Sequence, residues 1–267
     1  MTPPPCPSEF IAFADTLADA AAVVTRRYFR TRVEIDDKSD ASPVTIADRQ
    51  AEEAMRGLIE QAYPAHGILG EEHGRHHMDA EYIWVLDPID GTKAFITGKP
   101  SFGTLIALVR DGVPILGVID QPILRERWVG ATGHGTTLNG EPARVRTCPA
   151  LDHAYLYATA PDMFSGADAA PWGRLSGKVK LARYGADCYA YGLLASGFVD
   201  LVVEAQLKPY DYCAVIPVIE GAGGIVTDWN GQRLGLESDG RVVAAGDAAM
   251  HRAVLATLAG SETPNNF

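Results

Sequence analysis

The sequence predicts a layered protein of the α+β class, and three observations carry that prediction. Over residues 9–30 the apolar side chains Phe10, Phe13, Leu17, Ala20, Val24 and Tyr28 recur at three- and four-residue steps, which lines one face of a long helix. Residues 102–129 hold three apolar runs short enough to be strands, and Asp111-Gly112 between the first two is a hairpin signal. From residue 154 onward, strand-like and helix-like segments alternate, the pattern of sheets covered by helices.

Taken in order, the proline-rich residues 1–8 are expected to be disordered, and the first helix to serve structure alone. Polar residues 31–42 read as a mobile loop ended by Ser42-Pro43. Thr45 and Asp48 are spaced as a capping box with Asp in place of Glu. A second helix is therefore predicted, with Ala51, Met55, Leu58 and Ile59 inward and Pro64 stopping it. Residues 67–70 read as a short strand delivering Glu71 and Glu72 at its end. Neighbours on a strand point to opposite faces, so only one of these acids can face a given site. The His-rich segment 72–77 is expected to be flexible, and His73, His76 and His77 fit a solvated loop better than a ligand set. An apolar strand at 82–86 follows, then runs at 102–109, 113–120 and 126–129 in an antiparallel sheet, with a second hairpin signal at Asn139-Gly140. The pattern breaks at 147–150, which divides an N-terminal domain, 9–147, from a C-terminal one, 148–260. In the latter, strands are predicted near 154–158, 179–184, 198–204, 225–227 and 242–245, and helices near 172–176, 188–196, 212–222 and 247–258.

A chain of 267 residues that is 47% hydrophobic and 21% charged can bury one large or two medium cores as a soluble globular protein. Cys6, Cys148, Cys188 and Cys213 are far apart and form no CxxC pair. Neither a zinc knuckle nor a disulfide framework is expected, and a cytoplasmic setting is. The N-terminus lacks the basic flank and apolar core of a signal peptide. No apolar segment approaches the roughly 18 residues of a membrane span, so no membrane partner is expected. A net charge of -11 without a basic run argues against nucleic acid. An acidic chain can still act on a phosphate ester if bound cations invert the local field.

The stretch YIWVLDPIDGTKAFITGKPSF, residues 82–102, concentrates the chemistry. Its apolar run ends at Asp87, Asp90 follows after Pro88 and Ile89, Gly91 permits a tight turn, and Thr92 can cap a short helix. Two carboxylates beside a helix N-terminus can hold hard cations on their oxygens and an anion such as phosphate on free N–H groups. In isolation, the same letters also describe a helix cap at Asp87 and a turn residue at Asp90.

Three motifs in order, Gly70-Glu71-Glu72, the DPIDGT run from Asp87 to Thr92, and Pro209-Tyr210-Asp211 with a GAGG run behind it, resemble the inositol monophosphatase family. The resemblance spans roughly residues 10–258. It implies a layered αβαβα fold, a magnesium-dependent, lithium-sensitive phosphomonoesterase and a homodimer. It also implies that Glu71, Asp87 and the Ile89 carbonyl hold a first metal, that Asp87, Asp90 and Asp211 hold a second, and that Glu72 supports a third or its waters. All-oxygen ligation favours Mg2+, with Mn2+ as a substitute, over zinc, and four close carboxylates stay ionised together only with counter-cations. Tyr210 stands where the family usually has Trp, which keeps an aromatic ring there.

The same resemblance implies that Thr92, hydrogen-bonded to Asp48, orients and deprotonates a water acidified beside Glu71, while the N–H groups of Gly91 and Thr92 hold phosphate oxygens. Without it, Asp48 reads as a first-turn acid complementing the helix dipole. Lys38 lies in the loop the family closes over its metals and reads either as a neutralising charge there or as a solvated lysine.

Residues 93–130 and 183–204 resemble the histidinol-phosphate phosphatase branch. In the family the position of Glu204 meets the alcohol part of the substrate, and Asp187 stands where small residues are common in the inositol branch. Two acids there favour a phosphorylated amino alcohol over a neutral polyol, each close charge pair contributing on the order of 1 to 3 kcal/mol. Asp187 also reads as a cap for the helix starting at Cys188, and Arg183 as orienting these acids or contacting the phosphate. The expectation is a magnesium-dependent histidinol-phosphate phosphatase. Inositol monophosphate, a nucleotide 3'-phosphate or a sugar bisphosphate are the alternative substrates. A non-catalytic metal-binding regulator is the reading from another class, and it predicts a lost ligand where none is missing.

Overall fold

The structure, a computed structural model, describes residues 5–32, 35–37 and 43–260. Helix α1 (Ser8–Tyr28) buries Phe10, Ala14, Leu17, Ala18 and Ala21. Phe13 and Val24 lie at the margin of that stripe, because the alanines let the helix approach its neighbours most closely. Strands β1 (Ile35–Asp37) and β2 (Pro43–Thr45) pair antiparallel. Helix α2 (Ile46–Ala62) starts on the predicted capping box: the Thr45 side chain accepts from Ala47 N, and the Asp48 carboxylate accepts from Thr45 N.

Strands β3 (Gly67–Gly70), β4 (Gly74–His76) and β5 (Tyr82–Asp90) lead to the five-residue helix α3 (Thr92–Ile96). Strands β6 (Gly103–Arg110), β7 (Val113–Gln121), β8 (Glu126–Ala131), β9 (Gly135–Leu138) and β10 (Glu141–Pro142) complete an eight-stranded sheet in the order β10-β9-β8-β7-β6-β5-β3-β4. All its pairings are antiparallel except β3 with β5. Asp111 and Gly112 both have positive φ, at 48° and 79°, as the tight β6–β7 turn requires.

The second half gives β11 (Tyr155–Ala158), α4 (Ala169–Ser176), β12 (Leu181–Tyr184), α5 (Tyr189–Ala195), β13 (Leu201–Glu204), α6 (Pro209–Tyr212), α7 (Val215–Gly221), β14 (Ile225–Thr227), β15 (Val242–Ala245) and α8 (Ala248–Ala259). Its five strands order as β12-β11-β13-β15-β14. Alternate side chains of the large sheet face opposite ways. Trp84, Leu86, Ile106 and Leu108 pack under α1 and α2. Ile83, Val85, Leu105 and Ala107 pack with Tyr191, Leu194, Val215 and Ile219 of α5 and α7, which also cover Val202 and Ala244 of the small sheet. The far side of the small sheet, with Leu201, Val203 and Val243, is closed by Trp172 and Leu175 of α4 and Val254 and Leu258 of α8. These are five layers, helix, sheet, helix, sheet, helix, and both faces of each sheet are apolar because both are covered.

Several local expectations are corrected. Residues 35–37, expected within the 31–42 loop, pair with 43–45 in a two-stranded ribbon, and exposed Ile35 and Asp36 leave no apolar alternation to detect. The turn after Glu72 returns as β4, whose polar residues sit at the sheet edge. The helix expected at 212–222 begins at Pro209 and is interrupted between Tyr212 and Val215. Pro217 lacks the N–H that would bond the Cys213 carbonyl, so the ladder breaks there. The hairpin signal at Asn139-Gly140 is the turn between β9 and β10, which pair antiparallel. No helix among the described residues is long and apolar enough to cross a membrane.

Candidate active site

Strand β5, inside the eight-stranded sheet, carries its two acids to a common cleft. Asp87 is buried and its Oδ1 accepts from Ile89 N at 3.0 Å. Gly91 takes φ of +86° at the cap position of α3, which has no side-chain cap, so neither Asp87 nor Thr92 caps it. Thr92 is instead the first helical residue. Its hydroxyl lies 3.3 Å from Asp48 Oδ1 and 3.2 Å from the Ile89 carbonyl. Asp211, more than a hundred residues along, arrives in the first turn of α6, where its Oδ2 accepts from Lys208 N at 2.6 Å.

One carboxylate oxygen from each of Asp87, Asp90 and Asp211 lies within 4.8 Å of the other two. Among the described residues no Lys or Arg forms an ion pair with any of the three. The electrostatic result is strong. Burial, then Glu71, Asp90 and Asp211, push the Asp87 carboxyl well above the usual range. Burial, then Asp187 and Asp211, do the same to Asp90, against the Cys188 N–H that bonds its Oδ2. Burial raises Asp211 to about 7, with the Lys208 N–H opposing and Glu71 adding to the rise. Glu71 lines the cleft, close enough to Asp87 to raise its carboxyl, without belonging to the three-acid cluster. Crowded, largely buried carboxylates, the three of the cluster without an ion pair to Lys or Arg among the described residues, are a set that a hard divalent cation fits.

The cleft has a volume of about 270 Å³, and its walls run from Thr92 and Lys93 to Asp187, Tyr191, Glu204 and Leu207. Asp48 is fully buried, with Oδ2 accepting from Thr45 N at 2.9 Å and Thr45 Oγ1 at 2.6 Å. Burial raises its carboxyl, and the Thr45 donors oppose the rise. Asp187 has φ of 50° and makes no cap bond to α5. Its Oδ2 lies 3.5 Å from the Ser101 hydroxyl, and burial raises it against the pull of Lys99, Ser101 and Lys93. Glu204 is buried and doubly bound, Oε1 accepting from Thr159 N and Oε2 from the Tyr191 hydroxyl, both at 2.8 Å. Burial still raises it.

Other predicted residues lie outside this cleft. Arg183 is exposed on β12, and no ion pair joins it to Asp187 or Glu204 among the described residues. Glu72 follows Glu71 in the β3–β4 turn and does not line the cleft. His73 bonds the Arg49 carbonyl, and His76 and His77 stack on each other. Lys38 lies outside the described residues. Thr159, Tyr191 and Glu52 are residues that the sequence reading missed. Tyr191 falls inside the predicted helix 188–196, on the face that the apolar pattern assigns to the core, which gives no signal that its hydroxyl meets an acid. A larger hollow beside Arg127 carries Asp15, Asp19 and Asp120, but Arg127 already binds those acids at 3.1, 2.7 and 2.8 Å.

Fold and cleft together define a class: a two-sheet layered protein that gathers buried carboxylates for divalent-cation chemistry. The chain belongs to the inositol monophosphatase family, whose model matches residues 7–262, and with it to the metal-dependent phosphatases. It is 56% identical over 258 residues to the bifunctional phosphatase IMPL2, chloroplastic, of Arabidopsis thaliana, covering 93% of this chain and 75% of that protein. It is 36% identical to a histidinol-phosphatase of Chlorobaculum parvum, covering 92% and 95%. A solved inositol monophosphatase from Zymomonas mobilis superposes with a TM-score of 0.87 at 50% identity, over 94% of this chain and 98% of that one.

Proposed function

We propose that this phosphatase hydrolyses L-histidinol phosphate to L-histidinol and phosphate, with Mg2+ as its cofactor and Mn2+ as a substitute. The observation that carries the substrate is the pair of acids, Asp187 and Glu204, on the cleft wall beside the three-acid cluster. A leaving alcohol that carries an ammonium group would meet two carboxylates there, whereas a polyol would offer them no opposite charge. Relatives named histidinol-phosphatase at 34 to 36% identity support this reading. The Zymomonas structure, named an inositol monophosphatase, supports inositol monophosphate as the second reading.

In this mechanism Glu71, Asp87 and the Ile89 carbonyl would hold one cation, and Asp87, Asp90 and Asp211 another, with Glu72 serving a third. When bound, such cations supply the Lewis acidity that acidifies a water and offsets charge on the leaving oxygen. Thr92 has one hydroxyl hydrogen and two acceptors in reach, Asp48 and Ile89. With the Ile89 carbonyl committed as a ligand, that hydrogen goes to Asp48, and the Thr92 oxygen is left to accept a proton from the attacking water. Asp48 is held for this task by both Thr45 donors. The first N–H groups of α3 have no intrahelical acceptor and would take phosphate oxygens at Gly91 and Thr92.

The proposal includes a homodimer in the cytoplasm. Leu181 and Tyr184, exposed on edge strand β12 beside Arg183, offer a second copy apolar surface, and four free buried cysteines suit a reducing compartment. Phosphate release from L-histidinol phosphate, inositol monophosphate, a nucleotide 3'-phosphate and a sugar bisphosphate tests the substrate. Clear preference for the inositol ester would remove the histidinol assignment.

A further inference from the structure

We infer that Glu52 is the positioning residue that holds the turn bearing Glu71 in its cation-binding shape. Helix α2 turns Ala51, Glu52, Met55 and Ile59 inward, so Glu52, one turn after the buried Asp48, is a second acid on a face that is mostly apolar. Glu52 is fully buried, and its carboxylate points at the β3–β4 turn. Oε2 accepts from Glu72 N at 2.7 Å, and Oε1 accepts from His73 N at 3.1 Å. The Arg56 guanidinium, one helical turn along, donates to the same Oε1 at 2.7 Å and reaches on to the Gly74 carbonyl. The turn from residue 71 to 74 is thus gripped through its backbone from inside the protein, by Glu52 and Arg56, neither of which lines the cleft.

Gly70 shows how tight this grip is. A Cβ at residue 70 would overlap the Glu52 carboxylate, so the glycine that opens the Gly70-Glu71-Glu72 motif is the space in which that carboxylate lies. Its φ is not in the left-handed region, so the requirement is room rather than backbone conformation. Glu71 itself is fixed on one side by its N–H, which donates to the Leu86 carbonyl of β5 at 3.2 Å. Glu52 fixes the other side one residue later. Together they fix the backbone from which the Glu71 side chain reaches toward Asp87. Partners behind a metal ligand act on affinity through orientation, and their loss typically weakens binding about 10- to 100-fold.

The inference rests on Glu71 being a cation ligand, and the test separates the two claims. Mg2+ and Mn2+ are titrated calorimetrically into the metal-free full-length chain without substrate, for the wild type, Glu71→Gln, Glu52→Gln and Arg56→Gln. Glu71→Gln and Glu52→Gln should each bind at least about 10-fold more weakly, and Arg56→Gln should move the same way by less. The half-saturating Mg2+ for activity should rise by the same factor in Glu52→Gln, while kcat at saturating Mg2+ stays near that of the wild type. A merely structural role would lower Tm and leave cation affinity alone. Unchanged affinity in folded Glu52→Gln, with Glu71→Gln weakened, overturns this inference alone. Unchanged affinity in Glu71→Gln overturns the ligand reading on which it rests. Should Glu52→Gln fail to fold, Arg56→Gln decides in the same way.

Discussion

The carboxyl of Asp187 lies directly over Gly91: a methyl group added at residue 91 would stand 2.8 Å from Asp187 Cγ and 3.0 Å from its Oδ2. The same glycine has φ of +86°. Two independent constraints therefore meet at the start of α3, one from the turn and one from the wall of the cleft. Gly91→Ala should cost about 1 to 2 kcal/mol of backbone strain, seen as a fall in Tm of roughly 2 to 8 °C. Because it also displaces Asp187 and the first N–H groups of α3, kcat/KM should fall about 100-fold. Wild-type kcat/KM in a folded variant would refute the role of this turn.

The Thr92 hydroxyl and Asp48 form a couple whose parts separate by stability. Thr92→Val removes the hydroxyl and keeps the shape, so kcat should fall about 100- to 10,000-fold with Tm nearly unchanged, and Thr92→Ser should recover much of the rate. Asp48→Asn should lose rate as well. It should also lower stability by about 1 kcal/mol, because Asp48 is half of the capping box of α2. A fall in Tm without a fall in kcat would leave Asp48 as a cap and nothing more.

How far the sequence reveals such relationships depends on what repeats. The face of α1, the antiparallel run through β6, β7 and β8, and the alternation after residue 154 are legible because burial imposes a period of 3.6 or 2 on apolar residues. The β1–β2 ribbon is not, since Ile35 and Asp36 are both exposed and nothing alternates. Convergence is the harder matter. Asp87 and Asp90 are neighbours in sequence, but that Asp211 joins them within 4.8 Å is legible only through motif resemblance, because no local rule reports on the packing of α6 against β5. Glu52 was visible as an acid on an inward face among Ala51, Met55 and Ile59, and a buried acid always asks for a partner. What it grips, two backbone N–H groups twenty residues on, was not visible.

The acid cluster predicts how pH and cation act together. Without a cation, Asp211 has its pKa raised to about 7, while in the unfolded chain it returns to the ordinary carboxylate range near 3.8. Between those values the native state binds the extra proton. Stability from this group is therefore full below about pH 4 and is lost as pH rises through about 7. Asp87 and Asp90, also raised, add to the loss in the same direction. Mg2+ should reverse it, and the rise in Tm on adding Mg2+ should grow from pH 5 to pH 8 at about 2 to 4 °C for each 1 kcal/mol of binding. Melting curves with Mg2+ and with a chelator at each pH read this directly. An Mg2+ effect independent of pH in the wild type, and no smaller in Asp211→Asn, would contradict it.

Charge on the leaving group should separate the acids of the cleft wall from those of the cation cluster. Asp187→Asn and Glu204→Gln keep shape and remove charge, so each should lower kcat/KM for L-histidinol phosphate by about 5- to 150-fold, the equivalent of about 1 to 3 kcal/mol. For a neutral ester such as inositol monophosphate, the same variants should change kcat/KM little or raise it, since no ammonium group is there to lose a partner. Tyr191→Phe acts on the same discrimination from one step back. It removes the hydroxyl that donates to Glu204 at 2.8 Å and leaves Thr159 N as the carboxylate's one remaining donor among the described residues. A buried carboxylate with fewer donors is harder to keep ionised, so this variant should weaken selection for the cationic ester less than Glu204→Gln does, and more so at lower pH. Asp90→Asn, in the cluster, should by contrast depress turnover of both esters alike. Equal losses on the two esters in Asp187→Asn and Glu204→Gln would mean that the wall acids support the site rather than read the substrate.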